Sequence, residues 1–393
     1  MRAVAFWMLR RWVMKQAWMT MICGMAALFL VACGGGNSDG TTPDTGAVDA
    51  TNPPADTSQP PSDTNRPPPV DTTTPPSPDT STPPPAPTGM QVDPNCIDGQ
   101  YSEALPAYTA DISGLISGYS SNNYMAFIDG VLAKRYAVGQ YLVNTAITTS
   151  NQGNCIDYFL GQKSTGKAII DQMSTFVHEC GHFADIAAGG FTGGFGGGME
   201  AAYLFRPDLT LKCTDGGGTV NGGPTFARSL LMNDEYATLW PACAGFGGSG
   251  CDFYANTYLD GDPNNGNFEG GDQGFGSVLE EATQYVNSLA TGYAFQDFVG
   301  WGVSERDGIL TFLMYIQRYL RMARLQHPQV YSIITNECWR EVILTIWGRG
   351  WLYLEATKDI QKLGIADAEV MELVLRPELM DEIQRVRDLE GCP

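Results

Sequence analysis

The stretch from Ser174 to Asp185 reads Ser-Thr-Phe-Val-His-Glu-Cys-Gly-His-Phe-Ala-Asp and contains the spacing His-Glu-x-x-His. The chain has only three histidines, and two of them, His178 and His182, lie here. Residues four apart lie one above the other on a helix, so both imidazoles can reach one metal ion. Glu179 is rotated away from this pair but is close enough to polarise a water molecule at that ion. The stretch therefore predicts a metal-binding helix with two nitrogen ligands and a carboxylate base.

The residues around this motif follow the periodicity of an amphipathic helix. We predict one helix from Gly166 to Ala187, ended by a glycine-rich gap from Gly189 to Gly198. One face is apolar and carries Ile169, Met173, Phe176, Cys180, Phe183 and Ala187. The opposite face is polar and carries Asp171, Thr175, His178, His182 and Asp185. The alternative is an ordinary helix with two surface histidines, but a polar stripe flanked by apolar surface is typical of a helix that lines a cleft.

These residues resemble the active-site helix of the zincin metallopeptidases. The resemblance covers this helix and one later helix, and it implies a Zn cofactor with Glu179 as the catalytic general base. The implied reaction is hydrolysis of peptide bonds by zinc-activated water. The implied fold is α+β and predominantly helical, with a small sheet beside the active-site helix, a helical C-terminal lobe, and a cleft between the lobes.

A zincin site needs a third protein ligand besides His178 and His182. In the metzincin branch a histidine lies six residues after the second one, but this position is Ala188. The gluzincin branch instead uses a glutamate from a later helix, and the periodicity predicts such a helix from Gly276 to Leu289. The third ligand is therefore expected in that helix.

Two adjacent glutamates in this later helix compete for the role. The aminopeptidase pattern has a Glu, a small residue three positions on, and Tyr and Val at five and six, which the run from Glu280 to Val286 resembles. The thermolysin-like pattern, a Glu followed at once by a small residue, selects Glu281 instead. We expect Glu280 as the metal ligand, with Glu281, Glu235 and His327 as the alternatives.

The same resemblance assigns supporting roles to other residues. Asp185 or Gln284 is expected to orient a ligand histidine through a hydrogen bond. Tyr236, Tyr285 or His327 is expected to stabilise the oxyanion, and the sequence does not choose among them.

Residues 1–33 have the pattern of an export signal, with three arginines and Lys15 followed by an apolar run from 19 to 32. The run ends in Leu-Val-Ala-Cys33, which resembles the bacterial lipobox and implies lipidation of Cys33. Gly34 rather than Asp follows, which by the same resemblance favours an outer-membrane lipoprotein of the bacterial cell envelope, periplasmic or surface-exposed. The alternatives are a signal that is cleaved without lipidation and a plain transmembrane anchor, but the run is shorter than the roughly 20 residues that a spanning helix needs.

Residues 34–90 are dominated by Pro, Thr, Asp and Ser and are predicted to form a disordered linker. Proline stiffens such a segment, so it would hold the following domain away from the membrane. A recognition segment for a partner is the alternative. Residues 91–393 are long enough for one large domain or two lobes, and we predict that they form the zinc metallopeptidase-like domain.

The chain is strongly acidic. It has 23 Lys and Arg against 43 Asp and Glu, and four of the basic residues lie in the predicted signal. The mature chain therefore carries 19 minus 43, or −24. Such a chain repels phosphate backbones, which argues against nucleic acid as a partner. The expected partners are a protein or peptide substrate and a membrane, reached through the lipid at Cys33.

The cysteines fit an exported protein. Of ten, Cys23 lies in the signal and Cys33 is the lipidation site, which leaves an even number of eight for disulfides. Cys243 and Cys251 are predicted to form a local pair. We expect Cys338 to fix the tail through Cys392, and Cys180 to connect its helix to Cys155 or Cys213.

Periodicity predicts further elements along the domain. Helices are expected at 107–119, 123–146, 229–240, 306–325, 329–339, 340–355, 367–375 and 377–389, and short strands at 201–205 and 209–212. Alternating oxygen side chains from Asp260 to Asn267 are compatible with calcium or with a plain Asn/Asp/Gly turn.

A second function class fits the same sequence. A tethered binding or adhesion lipoprotein could carry a zinc site that no longer turns over. Retention of Glu179 argues against this alternative, because a purely structural zinc has no use for that carboxylate.

Overall fold

The computed structural model describes residues 91–149, 154–189, 200–214, 228–244, 250–259, 274–300 and 302–393. The predicted signal, the lipidation site Cys33, the linker and the calcium candidate at 260–267 lie outside the described residues. The described part is predominantly helical and contains one two-stranded antiparallel sheet. Within it, no helix combines the length and apolarity that crossing a membrane requires.

The helices and strands follow one another in a simple order. They are α1 (Ile97–Gln100), α2 (Ser113–Ser117), α3 (Tyr124–Arg135), α4 (Ala137–Thr149), α5 (Cys155–Phe159), α6 (Gly166–Ile170), α7 (Met173–Gly189), β1 (Glu200–Arg206), β2 (Leu209–Thr214), α8 (Tyr236–Leu239), α9 (Ala255–Tyr258), α10 (Phe275–Ala294), α11 (Glu305–Gln326), α12 (Pro328–Ile334), α13 (Glu337–Ala356), α14 (Asp367–Val374) and α15 (Pro377–Glu390). Short 3-10 turns occur at Ser121–Asn123, Arg228–Asn233, Gln296–Phe298 and Gln361–Leu363.

The motif helix differs from its prediction at its start. The predicted helix from Gly166 to Ala187 is two helices, α6 and α7, because the chain turns between them. Thr165 caps α6 by accepting a hydrogen bond from the Ala168 amide at 3.0 Å. At the turn, the Gln172 side chain accepts hydrogen bonds from the Gly161 and Gln162 amides and donates back to the Ala168 carbonyl, so the break is fixed by side-chain bonds that periodicity does not show.

Some of the other predicted helices are confirmed and some are wrong. The C-terminal helices and the long helix around Glu280 are confirmed, with ends shifted by a few residues. The single helix predicted at 123–146 is wrong, because Tyr136 leaves the helical conformation and separates α3 from α4. The helix predicted at 107–119 shrinks to α2, and the one at 229–240 is a 3-10 turn followed by α8.

The predicted strands are confirmed as an antiparallel hairpin in which Tyr203 pairs with Leu211, with an irregularity after Leu204. The hairpin packs on α7, and the Asp185 carboxylate of that helix accepts a hydrogen bond from the Leu204 amide at 2.7 Å. Behind the hairpin, α7 packs on α10, and α10 packs on α11 in turn. Because α10 lies against long helices, most of its side chains are buried, and it meets the motif helix along a fixed face.

All eight cysteines of the domain are paired at disulfide distance: Cys96 with Cys392, Cys155 with Cys180, Cys213 with Cys338, and Cys243 with Cys251. The predicted Cys243–Cys251 pair is confirmed, and Cys155 is confirmed as the partner of Cys180. The predicted Cys338–Cys392 pair is wrong. Cys338 lies in the first turn of α13, next to β2, which carries Cys213. Cys392 instead pairs with Cys96 at the start of the domain.

Removing the Cys96–Cys392 disulfide is expected to destabilise the domain more than removing Cys243–Cys251. The first pair closes a separation of 296 residues and the second one of 8. Loop-closure entropy predicts costs of about 6 and about 2.5 kcal/mol. Denaturant unfolding of the two double alanine variants measures the difference, and equal free energies of unfolding would contradict it.

Candidate metal centre

The two motif histidines lie at the contact between α7 and α10 and are buried there. His178 and His182 come from α7, and α10 supplies Glu280 and Glu281 from the opposite side. Glu179 is also buried, on the same helix as the histidines. The structure thus brings together all the motif residues and both candidate glutamates.

The imidazole rings of His178 and His182 make equivalent contacts through their two nitrogen atoms. The Nδ1 atom of His178 lies 3.0 Å from the Ser288 hydroxyl, and the Nδ1 atom of His182 lies 2.5 Å from Oε1 of Glu280. Their Nε2 atoms both face Oε2 of Glu281, at 3.5 Å for His178 and 3.8 Å for His182. Each ring therefore has one nitrogen fixed by a neighbour on α10 and the other directed to a shared carboxylate oxygen.

Some of these side chains lie close enough together to hold a metal ion. Among the described residues, two groups place their ligand atoms within 4.8 Å of one another: His178 with Glu179 and His182, and His182 with Glu280 and Glu281. Imidazole nitrogens and a carboxylate oxygen are the ligands of zinc in catalytic sites. Since a metal-binding histidine usually has its second nitrogen bonded to a neighbour, the contacts of Ser288 and Glu280 to Nδ1 match the surroundings of such a ligand.

The site has a strongly negative electrostatic environment. Burial by itself lowers the pKa of His182, but the charges of Glu280, Glu281 and Glu179 and the hydrogen bond to Glu280 outweigh it and raise the pKa to about 10. Burial raises the pKa of Asp185, and the negative charge of Glu280 raises it further. A cation at this position would compensate several carboxylates at once.

The ring of one tyrosine lies beside a motif histidine, and its hydroxyl is bonded to that of a second tyrosine. The Tyr285 ring packs edge-on against His178, with centroids 4.8 Å apart, and the Tyr258 and Tyr285 hydroxyls are 2.9 Å apart. Burial raises the pKa of Tyr258, and the charges of Glu281 and Glu179 raise it further. Of the three predicted oxyanion donors, Tyr285 is therefore the one that the structure places next to a motif histidine.

The remaining candidate ligands and oxyanion donors make contacts other than with the motif histidines. Glu235 is exposed and pairs with Arg321 at 2.8 Å. The Tyr236 hydroxyl donates to Glu378 at 3.3 Å. His327 lies between the last residue of α11 and Pro328, the first residue of α12. Neither Glu235 nor His327 belongs to a metal-binding group in the part of the chain that the structure describes.

The predicted supporting roles of Asp185 and Gln284 need a correction. Their hydrogen bonds join them to each other, from Gln284 Nε2 to Asp185 Oδ2 at 2.7 Å, and to other neighbours. The residues that contact the imidazole Nδ1 atoms are Ser288 and Glu280. Ser288 was missed, although it lies seven positions after Glu281 and therefore on the same helix face. Tyr258 had no sequence signal, because it comes from a short helix distant in the chain.

No family model matches the sequence, and no curated protein or solved structure is similar enough to match it.

Proposed function

We propose that this chain is a zinc-dependent metallopeptidase in which His178, His182 and Glu281 hold the zinc and Glu179 is the general base. The observation that carries the proposal is the convergence of both Nε2 atoms on Oε2 of Glu281. Glu281 replaces the expected Glu280 as third ligand, because Glu280 contacts the Nδ1 atom of His182 instead. Glu280 then acts as the hydrogen-bond partner that orients this ring.

The residues divide the chemistry between them. Zinc, when bound, supplies a Lewis acid and lowers the pKa of water to about 7. Glu179 accepts the proton of the attacking water and returns it to the leaving amine. The Tyr285 ring lies against His178, and its hydroxyl is 2.9 Å from that of Tyr258, so these two hydroxyls are the proposed donors for the developing negative charge on the carbonyl oxygen.

The arrangement of elements supports the gluzincin branch of the zincins. A motif helix lies beside a small sheet, and a later helix contributes the carboxylate. The substrate class is a protein or peptide. The lipobox at Cys33 supports tethering of the enzyme to the outer membrane of the bacterial envelope through a lipid.

The test is a digest of casein or a peptide library with the purified full chain, with and without a chelator, together with zinc analysis. We expect about one zinc per chain and cleavage that stops with chelator and returns when zinc is added back. Cleavage that persists after the metal is removed would contradict a zinc mechanism. A chain purified without any bound metal, and inactive when zinc is supplied, would contradict the metal site itself.

A binding or adhesion lipoprotein with an inactive zinc site is the second candidate. Burial favours it: His178, Glu179, His182 and Glu281 are all buried, and structural zinc sites are closed. The same digest separates the two functions. Stoichiometric zinc without any cleavage supports the second candidate, and chelator-sensitive cleavage excludes it.

A further inference from the structure

Gln284 lies at the centre of the contact between α7 and α10 and is fully buried. It packs against Gly181, the residue just before His182. A Cβ atom at Gly181 would lie 1.8 Å from Oε1 and 2.6 Å from Cδ of Gln284. The missing side chain of Gly181 therefore makes room for the amide of Gln284 directly on the backbone of the motif helix.

The place of Gln284 on α10 relates it to both histidines. Glu281 comes three residues earlier and Ser288 four residues later, so all three side chains share one face of the helix. When Gln284 is over Gly181, Glu281 lies opposite the two Nε2 atoms and Ser288 meets Nδ1 of His178. A shift of α10 along α7 would move both contacts together.

The amide of Gln284 is held in one orientation by bonds at both ends. Its Nε2 donates to Asp185 at 2.7 Å, and its Oε1 accepts from Nδ2 of Asn287 at 2.8 Å. Asn287 in turn accepts from the Tyr136 hydroxyl at 3.3 Å, and Tyr136 accepts from Nη2 of Arg349 at 3.2 Å. In this series of hydrogen bonds each group donates to the next, from the Arg349 guanidinium to the Asp185 carboxylate.

The chain of bonds is anchored at the far end by a buried ion pair. Arg349 donates to Glu103 through Nε at 3.1 Å and through Nη2 at 3.3 Å. Glu103 also accepts from the Tyr101 hydroxyl at 2.5 Å and from the Tyr353 hydroxyl. Hydrogen bonds aligned head to tail in a buried site strengthen one another, so this network specifies a single arrangement.

We infer that Gln284 is a positioning residue of the metal centre, which sets the register of α10 against α7 and is itself oriented by the hydrogen-bond chain from Arg349. The register of the two helices can be tested in the absence of zinc. Its consequence for zinc affinity rests on the proposed function. Loss of residues that orient metal ligands typically lowers metal affinity by about 10- to 100-fold, and this is the range expected for a Gln284 variant.

The test uses the imidazole 15N signals of the metal-free full chain. With three histidines in the chain, the signals of His178 and His182 can be followed separately from that of His327. We expect Gln284→Leu to shift the signals of His178 and His182 and to leave that of His327 in place. The control is Gln317→Leu, since Gln317 is an equally buried glutamine that donates to the Val374 carbonyl at 3.0 Å.

Two further variants cover the case in which Gln284→Leu does not fold. Tyr136→Phe removes one hydroxyl from the chain of bonds and keeps the ring, so it should shift the same two histidine signals by a smaller amount. Gly181→Ala adds a Cβ atom that would clash with the Gln284 amide, so it should shift the two histidine signals as well. Histidine signals unchanged in the folded variants would overturn the inference, as would equal shifts in Gln317→Leu.

The zinc measurement keeps the two proposals separate. If the wild-type chain binds no zinc, the proposed function fails, while the 15N signals of the metal-free chain still decide the role of Gln284. If zinc binds, we expect about 10- to 100-fold weaker affinity in Gln284→Leu and an unchanged affinity in Gln317→Leu. An unchanged zinc affinity in Gln284→Leu would overturn the inference.

Discussion

The Glu179→Gln variant is expected to retain zinc and to lose peptide hydrolysis. Glutamine has the size of glutamate but cannot accept a proton from water, so the ligands stay in place while the base is removed. Removing a general base typically costs about 10²- to 10⁴-fold in rate. Zinc content, measured on the same preparation as chelator-sensitive cleavage, checks both halves of this expectation.

Glu305→Gln is the matched control for this variant. Glu305 is likewise a buried glutamate near the motif helix, where it accepts a hydrogen bond from Ser174 at 2.8 Å. It belongs to none of the metal-binding groups among the described residues. We expect the control to keep zinc and most of the activity. Full activity in Glu179→Gln, or the same loss in both variants, would refute the assignment of Glu179 as the base.

The motif helix, the hairpin and the C-terminal helices could be predicted because each depends on local pattern. The spacing of His178 and His182 places both rings on one face wherever the helix lies in the fold. Residues 201–205 form a continuous apolar run, and residues 209–212 alternate apolar with polar side chains. The helices α10, α11 and α13 carry apolar residues at helical spacing over five or more turns.

The choice between Glu280 and Glu281 could not be predicted in the same way. Adjacent helical residues point about 100° apart, so only the rotation and register of α10 decide which one meets the imidazole Nε2 atoms. That register depends on Gly181 and on the amide of Gln284, which lie far apart in the chain. Motif patterns from two gluzincin types pointed to different glutamates, and packing favours the second.

Pairing of distant cysteines failed for a related reason. The expected link from Cys338 to the tail through Cys392 spans 54 residues of the chain. The structure instead places Cys338 at the start of α13 beside β2, whereas Cys392 follows α15 back to the first helix. The partner of Cys180 was correctly predicted to be either Cys155 or Cys213. That prediction depended on knowing which side of α7 is apolar.

The pair Glu281→Ala and Glu280→Ala should separate the ligand from the residue that orients it. We expect Glu281→Ala to purify without zinc, because Oε2 of Glu281 is the carboxylate oxygen that both Nε2 atoms face. Glu280→Ala should keep one zinc with about 10- to 100-fold weaker affinity, since His182 loses the partner of its Nδ1 atom but keeps Nε2 for the metal.

The two variants are well matched, because they remove the same side chain from adjacent positions of one helix. Glu281 is the more enclosed of the two, with 11% of its side chain exposed against 25% for Glu280, so zinc analysis should be read together with thermal unfolding of the metal-free proteins. Zinc lost from Glu280→Ala and retained by Glu281→Ala would restore Glu280 as the ligand. Loss from both, with both proteins folded, would mean that the carboxylates act as a pair and that neither histidine contact alone identifies the third ligand.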